Sequence, residues 1–315
     1  MQTLEDYQAR FQAYEQVRFW RTEGGLIMLE LVADDVCARF CLQGAQLLQL
    51  RFRGQPPVFW LSGKAFDHPG RAIRGGLPLC WPWFGPADTP DRPAHGFARN
   101  VPWRLTGLWP EEHAWIVRFQ LSDSADTRAL WPHSFEASLT FQLGASMRVD
   151  FCVVNLDSVP MSMSYAFHGY FPVSDVAHAS LTGLDGRPYI DKLLGRSDLL
   201  QQGPLRVLQA CDSVFPDAGG EYSLRDSLTG SELLIQSEHC ASAVVWNPWR
   251  EKAASLEDMD AEAFRQMICV ECGNVASSGI LIAAGEAHTS AVTIRYRCPP
   301  VFPAPSPLGQ RPSDS

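Results

Sequence analysis

Short runs in which apolar and polar residues alternate are the feature that most constrains how this chain can fold. Apolar side chains occupy every second position over 135–143, and after Gly144 and Ala145 the alternation resumes over 147–153. A period of two is typical of strands with one buried face, and a short break between two such runs is typical of a hairpin. Similar runs, some alternating and some simply apolar, occupy 115–121, 292–296, 26–32, 36–42, 45–52, 231–237, 242–246 and 267–272. The pattern predicts an all-β chain built as a large antiparallel sandwich.

Helical patterns are few. A spacing of three to four residues between apolar side chains over 4–20 predicts an N-terminal helix, and 124–133 is compatible with one short helical turn. No internal repeat or change of composition divides the chain. We therefore expect one β domain over residues 1–298, followed by a proline-rich tail over 299–315 that is loose or held at the surface.

The composition disfavours several classes of function. Hydrophobic residues make up 46% of the 315 residues, which is enough for a substantial core, and the formal net charge is −9. Because nucleic-acid binding depends on a positive field at the phosphates, such an acidic chain is not expected to bind nucleic acid. No run approaches the about 20 apolar residues that span a bilayer. Residues 1–10 contain Glu5 and Asp6 and no apolar stretch typical of a secretory signal, so we expect a cytoplasmic protein without a membrane partner.

The cysteines predict neither a disulfide framework nor a metal site. There are nine, an odd number, and they show no repeating spacing, which favours reduced and mostly buried thiols. Cys269 and Cys272 form the one C-x-x-C pair. Because a structural zinc site needs a second pair of ligands at similar spacing, we expect no metal here.

A glycine- and proline-rich segment over 74–85 and a second over 95–100 contain the first group of candidate site residues. Pro78 and Pro82 cannot donate to a strand ladder, so the first segment is expected to be a folded loop rather than a regular strand. If the loop folds back on itself, Arg74 and Arg99 could converge on a phosphate or carboxylate. The alternative is that both arginines are solvated on a loop that merely closes the core.

A histidine and a glutamate complete the set of candidates. His168 lies between aromatic residues at the end of a predicted strand, where it is either a general acid or base or a hydrogen-bonded structural residue. Glu271 lies in an apolar strand in phase with Cys269, and it is paired, solvent-exposed or catalytic. Together with the arginines, these residues indicate proton transfer on a small anionic substrate.

Six segments resemble the glucose-6-phosphate 1-epimerase family, the hexose-6-phosphate mutarotases, which form a branch of the aldose 1-epimerase superfamily. They occur in the family's order and span about two thirds of the chain. The segments are IRGGLPLCWPWFG at 73–85, HGFARN at 95–100, FHGYFPVSD at 167–175, YIDKLLG at 189–195, WNPWREKAASLEDMD at 246–260 and MICVECGNV at 267–275.

The resemblance implies a galactose-mutarotase-like β-supersandwich that interconverts the α and β anomers of a hexose 6-phosphate without a metal or cofactor. In this family's chemistry, His168 would protonate the ring oxygen and Glu271 would remove the proton of the anomeric hydroxyl. Because both groups must carry the right charge at one pH, we expect the pocket to raise the pKa of His168 through a nearby carboxylate. The only partner expected is the small hexose phosphate, bound by a monomer.

The resemblance also assigns binding roles. Arg74 and Arg99 would hold the phosphate, His95 would lie in the pocket against the sugar or its ring oxygen, and Asp212 matches an acidic position that contacts sugar hydroxyls. Three positions depart from the usual family pattern, namely Ala94, Gly169 and Cys272. The departure at Ala94 removes a possible hydrogen bond to substrate.

Two other functions remain compatible with the sequence. One is a sugar-phosphate sensor or carbohydrate-binding module that uses the same sandwich without catalysis. The presence of both His168 and Glu271 weighs against it, because a binding protein needs no acid–base pair. The other is a mutarotase of neutral aldoses, in which Arg74 and Arg99 would not contribute to turnover.

Overall fold

The structure is a computed structural model that describes residues 2–86, 89 and 92–297. The proposed tail at 299–315 lies outside these residues, and the boundary at residue 298 stays a prediction. The first half of the chain contains α1 (Leu4–Phe11), β1 (Val17–Arg21), β2 (Ile27–Val32), β3 (Val36–Cys41), β4 (Gln46–Phe52), β5 (Leu79–Cys80), β6 (Arg104–Pro110), β7 (Trp115–Ser122), α2 (Ala125–Leu130), β8 (Phe135–Leu143) and β9 (Met147–Asn155). The second half contains β10 (Met161–Met163), β11 (Tyr165–Pro172), β12 (Ala179–Thr182), β13 (Pro188–Asp191), β14 (Arg196–Leu200), β15 (Cys211–Phe215), β16 (Glu221–Asp226), β17 (Glu232–Glu238), β18 (Ser242–Asn247), α3 (Trp249–Ala254), β19 (Met267–Asn274), β20 (Ile280–Ile282) and β21 (Ala287–Tyr296).

The N-terminal region is half helix and half strand. A capping box between Thr3 and Asp6 starts α1, and the aromatic face of the helix packs on Phe19 of β1. The expectation of a helix over 4–20 is therefore wrong beyond Phe11. The second half of that segment pairs with β2 instead, as the first strand of a four-stranded meander of β1 to β4. Tertiary pairing of β-forming residues such as Val17 and Phe19 overrides the helical spacing.

The alternating runs form the largest sheet, which has eight antiparallel strands in the order β12-β16-β17-β21-β9-β8-β7-β6. Along β8, buried residues alternate with residues that have some exposure, so the predicted two-faced hairpin of β8 and β9 is confirmed. The short helix expected within 124–133 is confirmed as α2. The buried face of the sheet contributes to the main hydrophobic core, in which Trp81 packs edge-on against Phe135 and Phe151.

The candidate site is carried by a seven-stranded sheet in the order β14-β13-β15-β18-β19-β11-β5. Every residue of β19 is buried, as are all residues of β11 except its last. One face of β19 contributes Ile268, Val270 and Cys272 to the main core, and Cys269 faces the opposite side. Because both faces of these central strands are covered, a polar side chain on the second face is withdrawn from bulk water.

Candidate active site

Two rows of side chains cross the second face of the seven-stranded sheet. One row runs across four neighbouring strands, β15, β18, β19 and β11. From one end to the other it consists of Val214, Val244, Glu271 and His168, each directly paired with the next. Side chains at directly paired positions of neighbouring strands point to the same face and lie close together. The strand register therefore brings His168 and Glu271 side by side, although they are 103 positions apart in the chain (271 − 168).

The two side chains are in direct contact. Nε2 of His168 lies 3.2 Å from Oε1 of Glu271, and the residues are 7% and 2% exposed. The solvent-exposed alternative for Glu271 is thus wrong. Nδ1 of His168 and Oε2 of Glu271 are buried without a hydrogen-bond partner in the described part of the chain. Since buried polar atoms are rarely left unpaired, these two atoms are available to a ligand.

Burial sets the charge state of this pair. It raises the pKa of Glu271 well above its usual range and lowers the pKa of His168 well below its own. The expectation of a raised pKa at His168 is therefore wrong. The anticipated carboxyl group is present, but burial disfavours its charged form as well. Both shifts favour the uncharged pair, a carboxylic acid beside a neutral imidazole, over the ion pair.

Neighbouring aromatic rings hold His168 in place. The ring of Tyr170, two positions along β11, stacks on the imidazole with a centroid separation of 4.6 Å and an interplanar angle of 17°. Trp246 of β18 lies across the floor at 6.3 Å, and the ring of His95 lies at 6.2 Å. These contacts fix the plane of the imidazole, so its nitrogens have a defined direction before substrate binds.

The segment over 74–85 runs along the outer edge of β11. Backbone N–H groups of β11 donate to the carbonyl oxygens of Gly76 and Pro78, and that of Ser164, just before β11, donates to Pro82. Proline lacks a donor but keeps its acceptor, so both prolines pair from outside. The segment is a folded loop as expected, apart from the two-residue strand β5, which pairs with β11.

Arg74 is anchored at the β11 end of the site. Its Nε donates to Oδ1 of Asp258 at 2.7 Å, and its Nη1 donates to the hydroxyl of Tyr170 at 3.4 Å. The side chains of Arg74 and Asp258 are 20% and 8% exposed, so Arg74 is not the solvated residue of the alternative interpretation. Arg99 donates from Nη2 to the carbonyl oxygen of Ala94 and lines the same cavity.

His95 is a neutral hydrogen-bond donor. Burial is the main reason that its pKa is lowered to about 3, and the charges of Arg99 and Arg74 add to the effect. Its Nδ1 accepts a long hydrogen bond of 3.4 Å from the backbone N–H of Gly85. A neutral imidazole that accepts at Nδ1 carries its one proton on Nε2, from which it can donate to a sugar oxygen.

Asp212 and Lys192 lie at the opposite end of the floor. Asp212 of β15 is opposite Trp246 of β18, in the row that continues through Cys269 to Tyr170. Burial raises the pKa of Asp212, and the charge of Lys192 acts in the opposite direction. The backbone N–H of Lys192 donates to the carbonyl oxygen of Asp212, so the lysine is held beside the carboxyl group.

These residues line one cavity of about 420 Å³. A volume of that size lies within the range of small-molecule sites. All six site residues predicted from the sequence line it, namely Arg74, His95, Arg99, His168, Asp212 and Glu271. Lys192 and Lys252 also line the cavity, although neither was predicted from the sequence. The sequence feature that could have identified them is their position, because each lies in one of the six segments that resemble the family.

The remaining expectations concern residues away from the cavity. Cys269 and Cys272 project to opposite faces of β19 and cannot share a metal ion, and no group of three potential ligands occurs in the part of the chain that the structure describes. Gly169, Cys272 and Ala94 are not among the residues that line the cavity. Over the described ranges, no helix is long and apolar enough to cross a membrane.

Comparison with known proteins identifies the family. The chain matches the aldose 1-epimerase family over residues 28–295, which covers most of its length. The chain belongs to the aldose 1-epimerase family. The resemblance noted from the six sequence segments is thereby confirmed at the level of the superfamily.

Two individual relatives are similar to this chain over most of their length. A relative from Escherichia coli K12, provisionally named a glucose-6-phosphate 1-epimerase, is 35% identical over 248 residues, which cover 77% of this chain and 82% of the relative. A relative from Cenchrus ciliaris with the same provisional name is 32% identical over 250 residues, covering 76% of this chain and 75% of the relative.

Solved structures confirm the fold. A provisionally named mutarotase from Salmonella typhimurium superposes with a TM-score of 0.84 at 29% identity, covering 90% of this chain and 94% of that one. A galactose mutarotase related enzyme from Lactobacillus acidophilus superposes with a TM-score of 0.66 at 13% identity, covering 86% of this chain and 97% of that one. The all-β, galactose-mutarotase-like expectation is thus confirmed for this member of the aldose 1-epimerase family.

Proposed function

We propose that the protein interconverts the α and β anomers of a hexose 6-phosphate, with glucose 6-phosphate as the first substrate to test. One observation carries the proposal, namely the buried contact of 3.2 Å between His168 and Glu271 in a cavity that Arg74 and Arg99 also line. An acid–base pair suits ring opening of a hemiacetal, and guanidinium groups suit phosphate. The provisional names of the Escherichia coli and Cenchrus ciliaris relatives support the same substrate.

The reaction needs two proton transfers. Glu271, as a carboxylate, takes the proton of the anomeric hydroxyl while protonated His168 gives a proton to the ring oxygen. The electrons of the O1–H bond form the C1=O1 double bond, and those of the C1–O5 bond pass to O5. Rotation about C1–C2 then presents the other face of the aldehyde, and the same two residues reverse both transfers. His95 can donate from Nε2 to a sugar oxygen throughout.

The phosphate would hold the sugar at a point remote from the reacting bond. Arg74 is fixed by Asp258, and Arg99 by the carbonyl oxygen of Ala94, so neither guanidinium has to be immobilised from a free state when substrate binds. Preorganised groups of this kind lower the entropic cost of placing the anomeric carbon against its acid and base. At the other end of the floor, Asp212 can accept hydrogen bonds from ring hydroxyls.

The first prediction concerns catalysis itself. Exchange between the anomers of glucose 6-phosphate, followed by magnetisation-transfer NMR, should accelerate in the presence of the protein. Replacement Glu271→Gln removes the base while keeping the shape, and it should reduce the protein-dependent rate by about 10²- to 10⁴-fold. Glu286→Gln is the matched control, because Glu286 is exposed and does not line the cavity.

The same measurement separates the alternatives. Equal exchange rates in the wild type and in Glu271→Gln would refute the proposal. A protein that binds glucose 6-phosphate but leaves exchange at the solvent rate would be a sensor. If charge reversal at Arg74 and Arg99 left turnover of free glucose or galactose high and unchanged, the protein would be a mutarotase of neutral aldoses.

A further inference from the structure

The charged groups of the cavity are ordered along the sheet. Glu271 lies on β19 and His168 on the next strand, β11, whereas Asp212 lies on β15, beyond β18 on the Glu271 side. Arg74 belongs to the segment over 74–85 at the outer edge of β11, on the His168 side. Arg99 lies beside that segment, because the backbone N–H of Ala98 donates to the carbonyl oxygen of Trp81. A negative group therefore stands behind Glu271, and two positive groups stand behind His168.

This order opposes the charge state that the reaction needs. The reaction needs a carboxylate at Glu271 and an imidazolium at His168. The carboxylate would then lie on the side of the negatively charged Asp212, and the imidazolium on the side of the positively charged arginines. The pKa shifts follow this order on the His168 side, where burial is the main cause and His95, Arg99 and Arg74 all lower the pKa of the imidazole. For Glu271, burial and then Asp212 raise the pKa, and Arg99 acts in the opposite direction with a smaller effect. The charges that the protein itself places around the pair thus favour its uncharged form.

A dianion held by the two guanidinium groups would reverse the field on the His168 side. It would place net negative charge next to the imidazole and stabilise the imidazolium. No covalent link between that anion and the sugar is required for this effect, since it acts through space. The phosphate would then contribute to catalysis as well as to substrate binding.

We propose that an oxyanion held by Arg74 and Arg99 converts the His168–Glu271 pair from its uncharged to its ionic, reactive form. The cavity therefore also interconverts the anomers of an unphosphorylated aldohexose when a free oxyanion occupies the guanidinium end. This inference rests on the proposed function, because it assumes the same acid, base and phosphate position.

The proton step is internal to the pair. The carboxyl proton of Glu271 passes across the contact of 3.2 Å to Nε2 of His168, which leaves a carboxylate and an imidazolium with no gain or loss of protons. Two other charged groups border the cavity, Lys192 beside Asp212 and Lys252 on α3. Lys192 partly offsets the charge of Asp212.

The test uses glucose and phosphite as separate pieces. Anomer exchange of glucose is measured by magnetisation-transfer NMR at constant pH and ionic strength, with phosphite replacing chloride. The rate without protein is subtracted at each phosphite concentration, because phosphite itself catalyses exchange in solution. We expect the protein-dependent rate to rise saturably by at least about tenfold, which corresponds to about 1.4 kcal/mol of transition-state stabilisation.

Single substitutions test which residues are responsible for the effect of phosphite on the exchange rate. In Arg99→Gln the rise with phosphite should be lost, and in Glu271→Gln both the basal and the stimulated rates should be lost. Arg71→Gln should retain the full rise, because Arg71 is exposed and does not line the cavity. In the wild type, NMR of the imidazole nitrogens should show His168 changing from the neutral to the protonated form as phosphite is added, with His168→Gln used to assign the signal.

The outcomes distinguish this inference from the proposed function. If exchange of glucose 6-phosphate is accelerated but phosphite has no effect on glucose or inhibits it, only the inference is overturned. A neutral imidazole at His168 in the presence of saturating phosphite overturns it as well. If glucose 6-phosphate itself is not accelerated, the proposed function fails and the inference fails with it.

Discussion

At the scale of single residues, the ion pair of Arg74 and Asp258 organises one end of the cavity. Asp258 is 6% exposed, and its carboxylate accepts from Nε of Arg74 at 2.7 Å. Removing one member of a buried pair leaves the other charge without compensation, which is far more costly than losing an exposed pair. The chain supplies a direct comparison, because Asp260 forms an exposed pair with Lys64 two positions further along.

Asp258→Asn should therefore weaken substrate binding and stability together. We expect KM for glucose 6-phosphate to rise about tenfold or more, and the free energy of unfolding to fall by about 3 kcal/mol. Asp260→Asn should change the stability by less than about 1 kcal/mol and leave KM unchanged. Urea unfolding and the NMR exchange assay measure both effects. Similar losses in the two variants would show that Asp258 has no special role in holding Arg74.

The residue types of the site were predictable, but their physical state was not. His168 and Glu271 were singled out because a histidine among aromatics and a glutamate in an apolar strand are unusual. The depth of burial decided their pKa values, and no local pattern in the sequence reports it. The partnership of Arg74 with Asp258 joins positions 184 apart, so it could not be read from spacing.

At the scale of elements, Gly75, Gly76 and Gly96 each allow a close backbone approach in the segments that line the site, and Gly96 adjoins His95. Gly96 has φ +73°, and a Cβ at this position would clash with the carbonyl oxygen of Trp81. The close approach places the backbone next to His95 against the loop, and Arg99 follows three residues later. Gly230 has the same φ of +73°, but a Cβ there would meet nothing within 4 Å, so it isolates the conformational effect.

Gly96→Ala should thus cost more than Gly230→Ala. Both replacements place alanine in the left-handed region, which costs about 1–2 kcal/mol. Only Gly96→Ala adds a backbone clash, so we expect a larger loss in urea unfolding and a loss of anomer exchange, whereas Gly230→Ala keeps full exchange. Equal unfolding energies for the two variants would contradict the close approach to Trp81.

Strands were easier to predict than the N-terminal helix. The alternation that defines β7, β8 and β9 is local, because a half-buried strand repeats its environment every two residues. The spacing over 4–20 fitted a helix equally well in its second half, where Val17 and Phe19 enter β1. Only pairing with β2 decides between the two, and that pairing is a tertiary contact. The two-residue strand β5 was hidden for the same reason.

At the scale of the whole molecule, a strongly acidic chain presents a positively charged cavity. The net charge of the chain is −9. Nevertheless, two of the three lysines in the sequence line the cavity together with Arg74 and Arg99. Neither Lys192 nor Lys252 forms an ion pair with a described residue. Because charges are screened beyond about 10 Å at 0.1 M salt, these local cations outweigh the distant acidic surface for an anion at the entrance.

Lys252→Met should lower kcat/KM for glucose 6-phosphate about threefold at low salt, and the loss should shrink as sodium chloride is added. Lys192→Met is expected to act in the same direction. Lys64→Met is the control, because Lys64 already pairs with Asp260 outside the cavity. A decrease of the same size in Lys64→Met would show that overall charge, rather than position, controls the capture of substrate.

The outer border of the seven-stranded sheet also limits how these molecules meet one another. β5 is the last strand of that sheet, and both of its residues, Leu79 and Cys80, are buried. A foreign strand can pair with the edge of a sheet only where the backbone of the edge strand is exposed, and a covered edge prevents this pairing. The border of the sheet nearest the cavity is therefore a poor template for intermolecular strand addition, so crowded solutions should not propagate aggregates from this side.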